Sequence, residues 1–296
     1  MNNSRYALEM ENVTKEYADF KLDSVNMRLE KGMVMGLVGE NGAGKTTIIR
    51  LILNAVEKTA GSIKMFGMDH VEKEIEVKEK IGYVSDDDFL LVNSNLKKYA
   101  KAFATMYKDW DQELCEKYAR MWKLPAKKRF SEYSKGMKKK AMLALALAHK
   151  PELLILDEPT AGLDPVARIE VLDILREIVE EGERAVLFST HITGDLDKIA
   201  DSITVLIDGK VTESMPIDQI EDKYAVITGS LKSLDSYKER LCTGVRKGTQ
   251  NFEALVERKH LGEFENVSVR TPNIENVLTF SIWGHRDEIV EVENNG

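Results

Sequence analysis

Residues 39–47 read GENGAGKTT, and no other stretch limits the possible folds of this chain as strongly. The stretch satisfies the pattern G-x-x-x-x-G-K-[ST], with an apolar run at 33–38 before it and a helical pattern at 46–56 after it. Glycines let the backbone curl so that successive N–H groups point at phosphate oxygens, and the following helix adds its positive end. We call residues 39–47 the P-loop, and this strand–loop–helix context predicts a binding site for a nucleoside triphosphate.

Two side chains of the P-loop carry specific chemistry. Lys45 is placed to reach the β- and γ-phosphates, and the hydroxyl of Thr46 is placed to bind Mg²⁺. A glycine-rich turn without a ligand is the alternative, but it leaves the Lys-Thr pair between a strand and a helix unexplained. The other residues that we expect at the nucleotide are Gly39, Asn41, Gly42, Ala43, Gly44 and Thr47.

A second motif, which contains adjacent acidic residues, occurs in residues 151–165, PELLILDEPTAGLDP. Four apolar residues precede Asp157 and Glu158, which predicts a buried parallel strand with carboxylates at the edge where such sheets bind ligands. Asp157 is suited to hold Mg²⁺ directly or through water, and Glu158 is suited to orient and deprotonate an attacking water. An acidic helix cap would explain Asp157 alone, but not an Asp-Glu-Pro sequence that follows a P-loop.

His191 and Tyr17 each allow two interpretations, a structural role or contact with the nucleotide. His191 follows the strand pattern at 184–190, and this position favours contact with a γ-phosphate, although a lone histidine is usually structural. Tyr17 falls in the turn between two alternating segments within residues 6–30. Its ring could fill the core or stack on an adenine, because purines bind aromatic faces tolerantly, and its spacing leaves both roles open.

The composition is that of an ordinary soluble protein, with 31% charged and 43% hydrophobic residues among 296. No apolar run approaches the roughly 18 to 20 residues that span a bilayer, and the first residues lack the pattern of a signal peptide. Two distant cysteines, Cys115 and Cys242, argue against a disulfide framework or a zinc site and suggest the cytoplasm. A net charge of −8 argues against a nucleic-acid partner.

Residues 94–150 carry helix-forming residues with apolar spacings of three and four, which predicts a helical insert between two halves of an α/β core. Ser134 is a good N-cap for the helix that follows it. The three lysines Lys138, Lys139 and Lys140 would ordinarily form a solvated helix face.

Taken together, these stretches resemble ATP-binding-cassette (ABC) ATPases over residues 1–220. GENGAGKTT resembles the Walker A loop, LLILDEP the Walker B strand, AGLDP the D-loop and STH the switch-histidine loop. YSKGM at 133–137 resembles the family signature, usually LSGGQ. The resemblance implies ATP and Mg²⁺ as cofactors, and it favours Tyr17 as the aromatic residue that stacks on adenine.

The same resemblance implies an architecture and a role. We expect an α/β P-loop core with an antiparallel β subdomain, a helical subdomain at about 87–150, and a small α+β accessory domain at 221–296. Such cassettes form head-to-tail dimers, so Ser134 and Gly136 of one copy would face the ATP bound to the other.

The LDEPTAGLDP stretch at 156–165 and the short helical insert look most like those of bacterial exporter-type cassettes with separate membrane subunits. The chain would then be the ATP-hydrolysing subunit that drives integral membrane permease subunits, as a homodimer or with a paralogous ATPase, peripheral on the inner face of the cell membrane. The alternative is a soluble ABC ATPase of a cytoplasmic assembly complex.

The chain departs from the family pattern after the strand at 81–84. The family has a glutamine there that touches Mg²⁺ and links the site to the membrane partner, but this chain has Asp86. The continuous register with the strand favours Asp86 as a Mg²⁺ ligand, since Mg²⁺ accepts carboxylate oxygens readily. The alternative is that the acidic run 86–88 is merely solvated. The signature departs too, with Lys135 for a glycine and Met137 for the glutamine.

Overall fold

A computed structural model of the chain describes residues 4–87, 89–285 and 290–291. Its strands are, in chain order, β1 (Tyr6–Glu16), β2 (Lys21–Glu30), β3 (Val34–Val38), β4 (Ala60–Met65), β5 (Met68–Asp69), β6 (Ile81–Val84), β7 (Leu153–Asp157), β8 (Ala185–Ser189), β9 (Ser202–Ile207), β10 (Lys210–Pro216), β11 (Tyr224–Ser230), β12 (Cys242–Lys247), β13 (Asn251–Glu257), β14 (Ser268–Arg270) and β15 (Val290–Glu291). Its α-helices are α1 (Lys45–Ile52), α2 (Glu74–Glu79), α3 (Leu96–Met106), α4 (Gln112–Met121), α5 (Lys135–Leu147), α6 (Pro165–Glu180), α7 (Thr193–Ile199), α8 (Asp218–Lys223), α9 (Ser236–Arg240) and α10 (Ile274–His285).

The first sheet is antiparallel, with the strand order β2-β1-β4-β5. Buried and exposed residues alternate along most of β2, as expected where one face of a sheet is covered and the other meets solvent. The turn between β1 and β2 lies against the P-loop, because a Cβ atom on Gly44 would stand 2.9 Å from Cζ of Phe20. The predicted antiparallel β subdomain is therefore present beside the P-loop.

The second sheet has the order β10-β9-β3-β8-β7-β6, and it is parallel except for the edge strand β10. Strands β3, β7 and β8 consist entirely of buried residues, as expected for a sheet that is covered on both faces. The P-loop follows β3, Asp157 ends β7 and Glu158 comes directly after it. Parallel strands end at one edge, so the segments after β3, β6, β7 and β8 meet there.

The predicted helical insert is confirmed and comprises α3, α4 and α5, between β6 and β7. The side chains of Asn95, Asp111 and Ser134 cap these helices, each accepting a hydrogen bond from the backbone N–H three residues further on at 2.9–3.2 Å. From Ala141 onwards α5 is buried all round. A helix that is apolar on every side must lie inside the protein, and this fixes α5 against the second sheet.

The expectation that all three lysines of α5 form a solvated face is wrong for Lys139. Its side chain is 3% exposed, whereas Lys138 and Lys140 are partly exposed. The reason is that the buried part of α5 extends back by one half-turn before Ala141, and Lys139 points towards the edge of the second sheet. A buried ammonium group must find hydrogen-bond partners, which are described with the site below.

The helix after the P-loop is shorter than predicted, since α1 ends at Ile52 rather than near residue 56. Asn54 adopts a left-handed backbone conformation with φ of 51°, and the Ala55 N–H donates to the Arg50 carbonyl at 2.8 Å. A left-handed residue of this kind commonly ends a helix.

The third sheet has the order β14-β11-β13-β12-β15 and begins at Tyr224, close to the predicted boundary after residue 220. It carries its own apolar cluster around Phe252, while Tyr224, Val226 and Leu255 pack into the cluster of the second sheet. The assignment of residues 221–296 as an accessory domain stays a prediction. Among the described residues, no helix is long and apolar enough to cross a membrane.

Candidate nucleotide-binding site

The P-loop curls around a cavity of about 260 Å³. Gly42 and Gly44 have φ of +86° and +113°, a backbone conformation that favours glycine. Apart from Gly42 and its two neighbours in the chain, no described residue has an atom within 4 Å of the place where a Cβ atom of Gly42 would stand, so the loop is open on that side. The residues that line the cavity are Phe20, Glu40, Asn41, Gly42, Gly44, Lys45, Thr46, Thr47, Asp86, Asp157 and Glu158.

Two further residues predicted at the nucleotide, Gly39 and Ala43, shape the loop without lining the cavity. A Cβ atom on Gly39 would stand 2.4 Å from the Leu206 carbonyl oxygen, so a side chain cannot fit there. Ala43 is buried, and its carbonyl oxygen accepts a hydrogen bond from the Gly209 N–H at 3.0 Å. These contacts tie the P-loop to the turn after β9.

Lys45 is a buried lysine held by the loop itself. Its Nζ donates to the carbonyl oxygens of Gly39 at 2.6 Å and Glu40 at 3.1 Å. Burial lowers the pKa of Lys45, and the nearby carboxylates of Glu158 and Asp157 oppose this shift. The ammonium group therefore lies at the cavity with acceptors that phosphate oxygens could replace.

Thr46 and Asp157 bring two oxygen atoms together across the cavity. The Thr46 hydroxyl lies 3.4 Å from Oδ2 of Asp157. Burial raises the pKa of Asp157, and the neighbouring negative charges of Glu158 and Asp86 act in the same direction. In the described part of the chain, no three His, Cys, Asp or Glu residues form a metal cluster. A hydroxyl and one carboxylate still fit Mg²⁺, which binds one or two carboxylates together with substrate phosphates.

Glu158 is held by the segment that follows β8. Strands β7 and β8 pair in parallel with Asp157 opposite Ser189, so the residues just after them are neighbours. Oε1 of Glu158 accepts from the His191 N–H at 3.0 Å and lies 2.8 Å from Nδ1 of His191. Oε2 accepts from the hydroxyl of buried Thr190 at 3.1 Å. The two predicted catalytic residues, Glu158 and His191, are thus in direct contact.

Asp86 reaches the same cavity from the loop after β6. Its Oδ1 accepts from Nζ of Lys139 at 2.9 Å, and the same ammonium group donates to the backbone carbonyl of Glu158. Its side chain is half exposed. Whether Asp86 also binds a metal stays a prediction, and Asp88 of the acidic run lies outside the described residues.

Ser134 and Gly136 are not among the residues that line the P-loop cavity of their own chain. Ser134 caps α5, with its hydroxyl oxygen 3.2 Å from the Met137 N–H. Gly136 lies beside the AGLDP stretch, because a Cβ atom on it would stand 3.3 Å from Cδ2 of Leu163. The signature and the P-loop of one chain therefore form separate surfaces.

Tyr17 also lies outside the lining of the cavity. Its side chain is exposed, and the Lys15 ammonium group stands 5.1 Å from its ring centroid. The aromatic residue that does line the cavity is Phe20, whose ring centroid is 6.4 Å from that of Tyr17. Adenine stacking by Tyr17 stays a prediction.

Sequence reasoning missed three residues of this site, namely Phe20, Lys139 and Thr190. Phe20 belongs to the same turn as Tyr17 and could have been weighed with it. Thr190 stands beside His191 in the STH stretch and is small and polar at the end of a buried strand. The partner of Lys139 is 53 positions away, and no local pattern indicates such a contact.

A larger groove of about 1220 Å³ lies between the first sheet and the edge of the second, lined in part by Arg28, Met33 and Met215. It contains neither the P-loop nor the Asp-Glu pair. We place the candidate functional site at the smaller cavity, since that cavity holds side chains of the P-loop and of the Asp-Glu pair.

The chain is similar to known proteins in both sequence and structure. A family profile described as "ABC transporter" matches residues 22–161. The bacitracin transport ATP-binding protein BcrA of Enterococcus faecalis is 32% identical over 221 residues, which cover 74% of this chain and 72% of that protein. An uncharacterized ABC transporter ATP-binding protein of Bacillus subtilis, YdbJ, is 28% identical over 286 residues, with coverages of 90% and 92%. A solved ATP-binding subunit of an ABC transporter superposes with a TM-score of 0.67 at 27% identity, covering 73% of this chain and 92% of the other.

Proposed function

Because this chain belongs to the family of ATP-binding subunits of ABC transporters, we propose that it hydrolyses Mg-ATP to drive a separate integral membrane permease. One observation carries the hydrolytic part of the proposal. The cavity at the P-loop is lined by Thr46, Asp157 and Glu158, and the carboxylate of Glu158 contacts His191, which lies outside that lining.

Each side chain then has a specific task. Lys45 and the backbone N–H groups of the P-loop hold the phosphates, and Thr46 and Asp157 hold Mg²⁺, which offsets the charge of the phosphates when it is bound. Glu158 orients a water molecule and takes its proton, while His191 fixes the carboxylate of Glu158 and faces the γ-phosphate.

We further propose that the active form is a dimer, with itself or with a paralogous ATPase. The N-terminal end of α5, with Ser134 and Gly136, lies outside the cavity of its own chain, which supports its use by a second chain. Backbone N–H groups and the positive end of a helix attract phosphate oxygens, so a second copy could close the site over ATP.

Sizing chromatography with Mg-ATP tests the dimer. Glu158→Gln is used as the background because slow hydrolysis preserves bound ATP, and this protein should shift from monomer to dimer on addition of Mg-ATP. Ser134→Arg in that background should abolish the shift and leave ATP binding to the monomer intact.

Two controls separate charge at the interface from damage to the helix. Ser134→Asp keeps an N-cap acceptor but places a negative charge at the γ-phosphate, so it too should prevent dimers. Ser236→Arg adds the same charge as the test variant at an exposed position in α9 and should dimerise normally. Persistence of a monomer at high ATP and protein concentration would contradict a homodimer and favour a paralogous partner or an obligatory membrane partner.

The permease contact has its own support. Phe89, Leu91 and Val92 are exposed apolar residues between β6 and α3, close in sequence to Asp86. Neighbouring exposed apolar side chains of this kind mark interaction sites. Such a contact would place the chain at the inner face of the cell membrane.

Purification of the native chain from detergent-solubilised membranes tests that contact. A multispanning membrane protein should copurify with the wild type, and Leu91→Asp should lose it. Ile75→Asp, at an exposed apolar position on α2, is the matched control and should retain it. Recovery of soluble partners only would favour the assembly-complex alternative.

A further inference from the structure

Lys139 joins three separate segments at the nucleotide site. It belongs to α5, and its Nζ donates to Oδ1 of Asp86 in the loop after β6 and to the backbone carbonyl of Glu158 after β7. The lysine side chain is 3% exposed. A charged group at that depth is tolerated only when it is paired and hydrogen-bonded, so its two partners decide where it sits.

The carbonyl that Lys139 contacts belongs to a residue in an unusual conformation. Glu158 has φ of +49°, a left-handed backbone conformation that residues other than glycine seldom adopt. Such a conformation persists only where the surrounding structure holds it. The Glu158 N–H donates to the Ser189 carbonyl at 2.9 Å, and Lys139 secures the other side of the same residue.

Charge gives a second reason for the contact. Asp86 brings a carboxylate to a cavity that already holds Asp157 and Glu158. The ammonium group of Lys139 lies 2.9 Å from that added carboxylate and offsets its charge where the triphosphate is expected.

We propose that Lys139 is a positioning residue for Glu158, and that Asp86 is the partner which keeps its ammonium group in place. In this arrangement the helical insert is tied to the hydrolytic site through one side chain. Asp86 then serves as the ion-pair partner of Lys139 and not as a ligand of Mg²⁺. The kinetic part of this inference rests on the proposed ATPase function, whereas the ion pair itself does not.

A double-mutant cycle on the nucleotide-free chain tests the ion pair through its melting temperature. Asp86→Asn leaves a buried ammonium group without its carboxylate, and Lys139→Met removes the ammonium group at similar side-chain length. The decrease in melting temperature of the double variant should be smaller than the sum of the decreases in the two single variants by at least about 3 °C. Additive losses would overturn the pair.

Controls for this cycle come from the adjacent positions. Asp87→Asn removes a charge from the next, exposed residue of the same loop, and Lys140→Met removes the next lysine of α5, which pairs with Glu170 at 3.3 Å. Combining these two substitutions should give additive losses. If Lys139→Met does not fold alone, recovery of folding in the double variant with Asp86→Asn supports the pair, and failure to recover contradicts it.

Steady-state ATPase kinetics test the positioning role. Lys139→Met should lower kcat at least about tenfold with the KM for ATP within about twofold of wild type, because small displacements of a catalytic group affect chemistry more than binding.

The Mg²⁺ concentration for half-maximal activity should change by less than about twofold in Asp86→Asn. Unchanged kcat in Lys139→Met would overturn the positioning role, and a severalfold rise in the Mg²⁺ requirement would make Asp86 a metal ligand. Lack of ATPase activity in the wild type would refute the proposed function. The double-mutant cycle on melting temperature would still test whether Asp86 and Lys139 form an ion pair.

Discussion

Replacement of Glu158 by glutamine is the most direct test of the proposed catalytic base. Oε1 of Glu158 meets the backbone N–H and Nδ1 of His191, and Oε2 meets the hydroxyl of Thr190. A glutamine has nearly the same shape and can keep its oxygen at His191 with its amide group at Thr190. The structural cost should be about one hydrogen bond, or ~1 kcal/mol, which corresponds to a decrease in melting temperature of about 2–4 °C.

The kinetic effect should be much larger than the structural one. An amide cannot take a proton from water, and a positioned general base contributes roughly 10²–10⁴-fold to rate. We therefore expect kcat to fall at least about a hundredfold, or about 2.7 kcal/mol of activation free energy. The affinity for ATP should stay within a few-fold of wild type, because Lys45 and the P-loop are unchanged.

Three assays measure these effects separately. Phosphate release at saturating Mg-ATP gives kcat, equilibrium binding gives the affinity for ATP, and thermal melting gives the stability. Glu177→Gln makes the same chemical change at an exposed position of α6 and should hydrolyse ATP normally. Hydrolysis by folded Glu158→Gln at nearly the wild-type rate would refute the assignment of the base. An equal loss of ATP affinity and kcat would instead give Glu158 a role in binding.

Three further predictions concern the surroundings of this carboxylate and the helical insert. Lys45→Ala should weaken ATP binding at least about tenfold, because it removes a charge-assisted contact to phosphate, and unchanged affinity in equilibrium binding would contradict this role. Thr190→Val should lower kcat severalfold and stability by about 1–3 kcal/mol, since Ile192 N–H loses the hydroxyl that it bonds at 3.0 Å, and equal melting temperatures would contradict this. Asp111 caps α4 and pairs with Lys150, and its hydrogen bond from the Leu114 N–H holds its pKa below the usual value. The resulting stabilisation is complete above the unfolded pKa of ~3.9 and is lost as the pH falls through the lower folded value. The melting temperatures of wild type and Asp111→Asn should therefore differ at neutral pH and converge in acid, and a pH-independent difference would refute the reasoning.

The sequence alone determined the fold class and the centre of the site. The P-loop is recognisable because its glycines, Lys45 and Thr46 must be contiguous to wrap a phosphate chain. Asp157 and Glu158 are recognisable because they follow the last apolar residue of a parallel strand, and such a strand places the residues at its end on one edge of the sheet. These requirements involve residues that are close together in the chain, so they are visible as short sequence motifs.

Tertiary structure decided which distant side chains meet at that edge. Residues 133–140 do not reveal that Lys139 is buried, because burial depends on what covers α5 and not on the spacing of the three lysines. The pairing of Lys139 with Asp86, and with the carbonyl of Glu158 in its left-handed conformation, follows from packing the helical insert against the second sheet. Contacts across many tens of residues depend on the geometry of packed elements, and a linear pattern does not encode it.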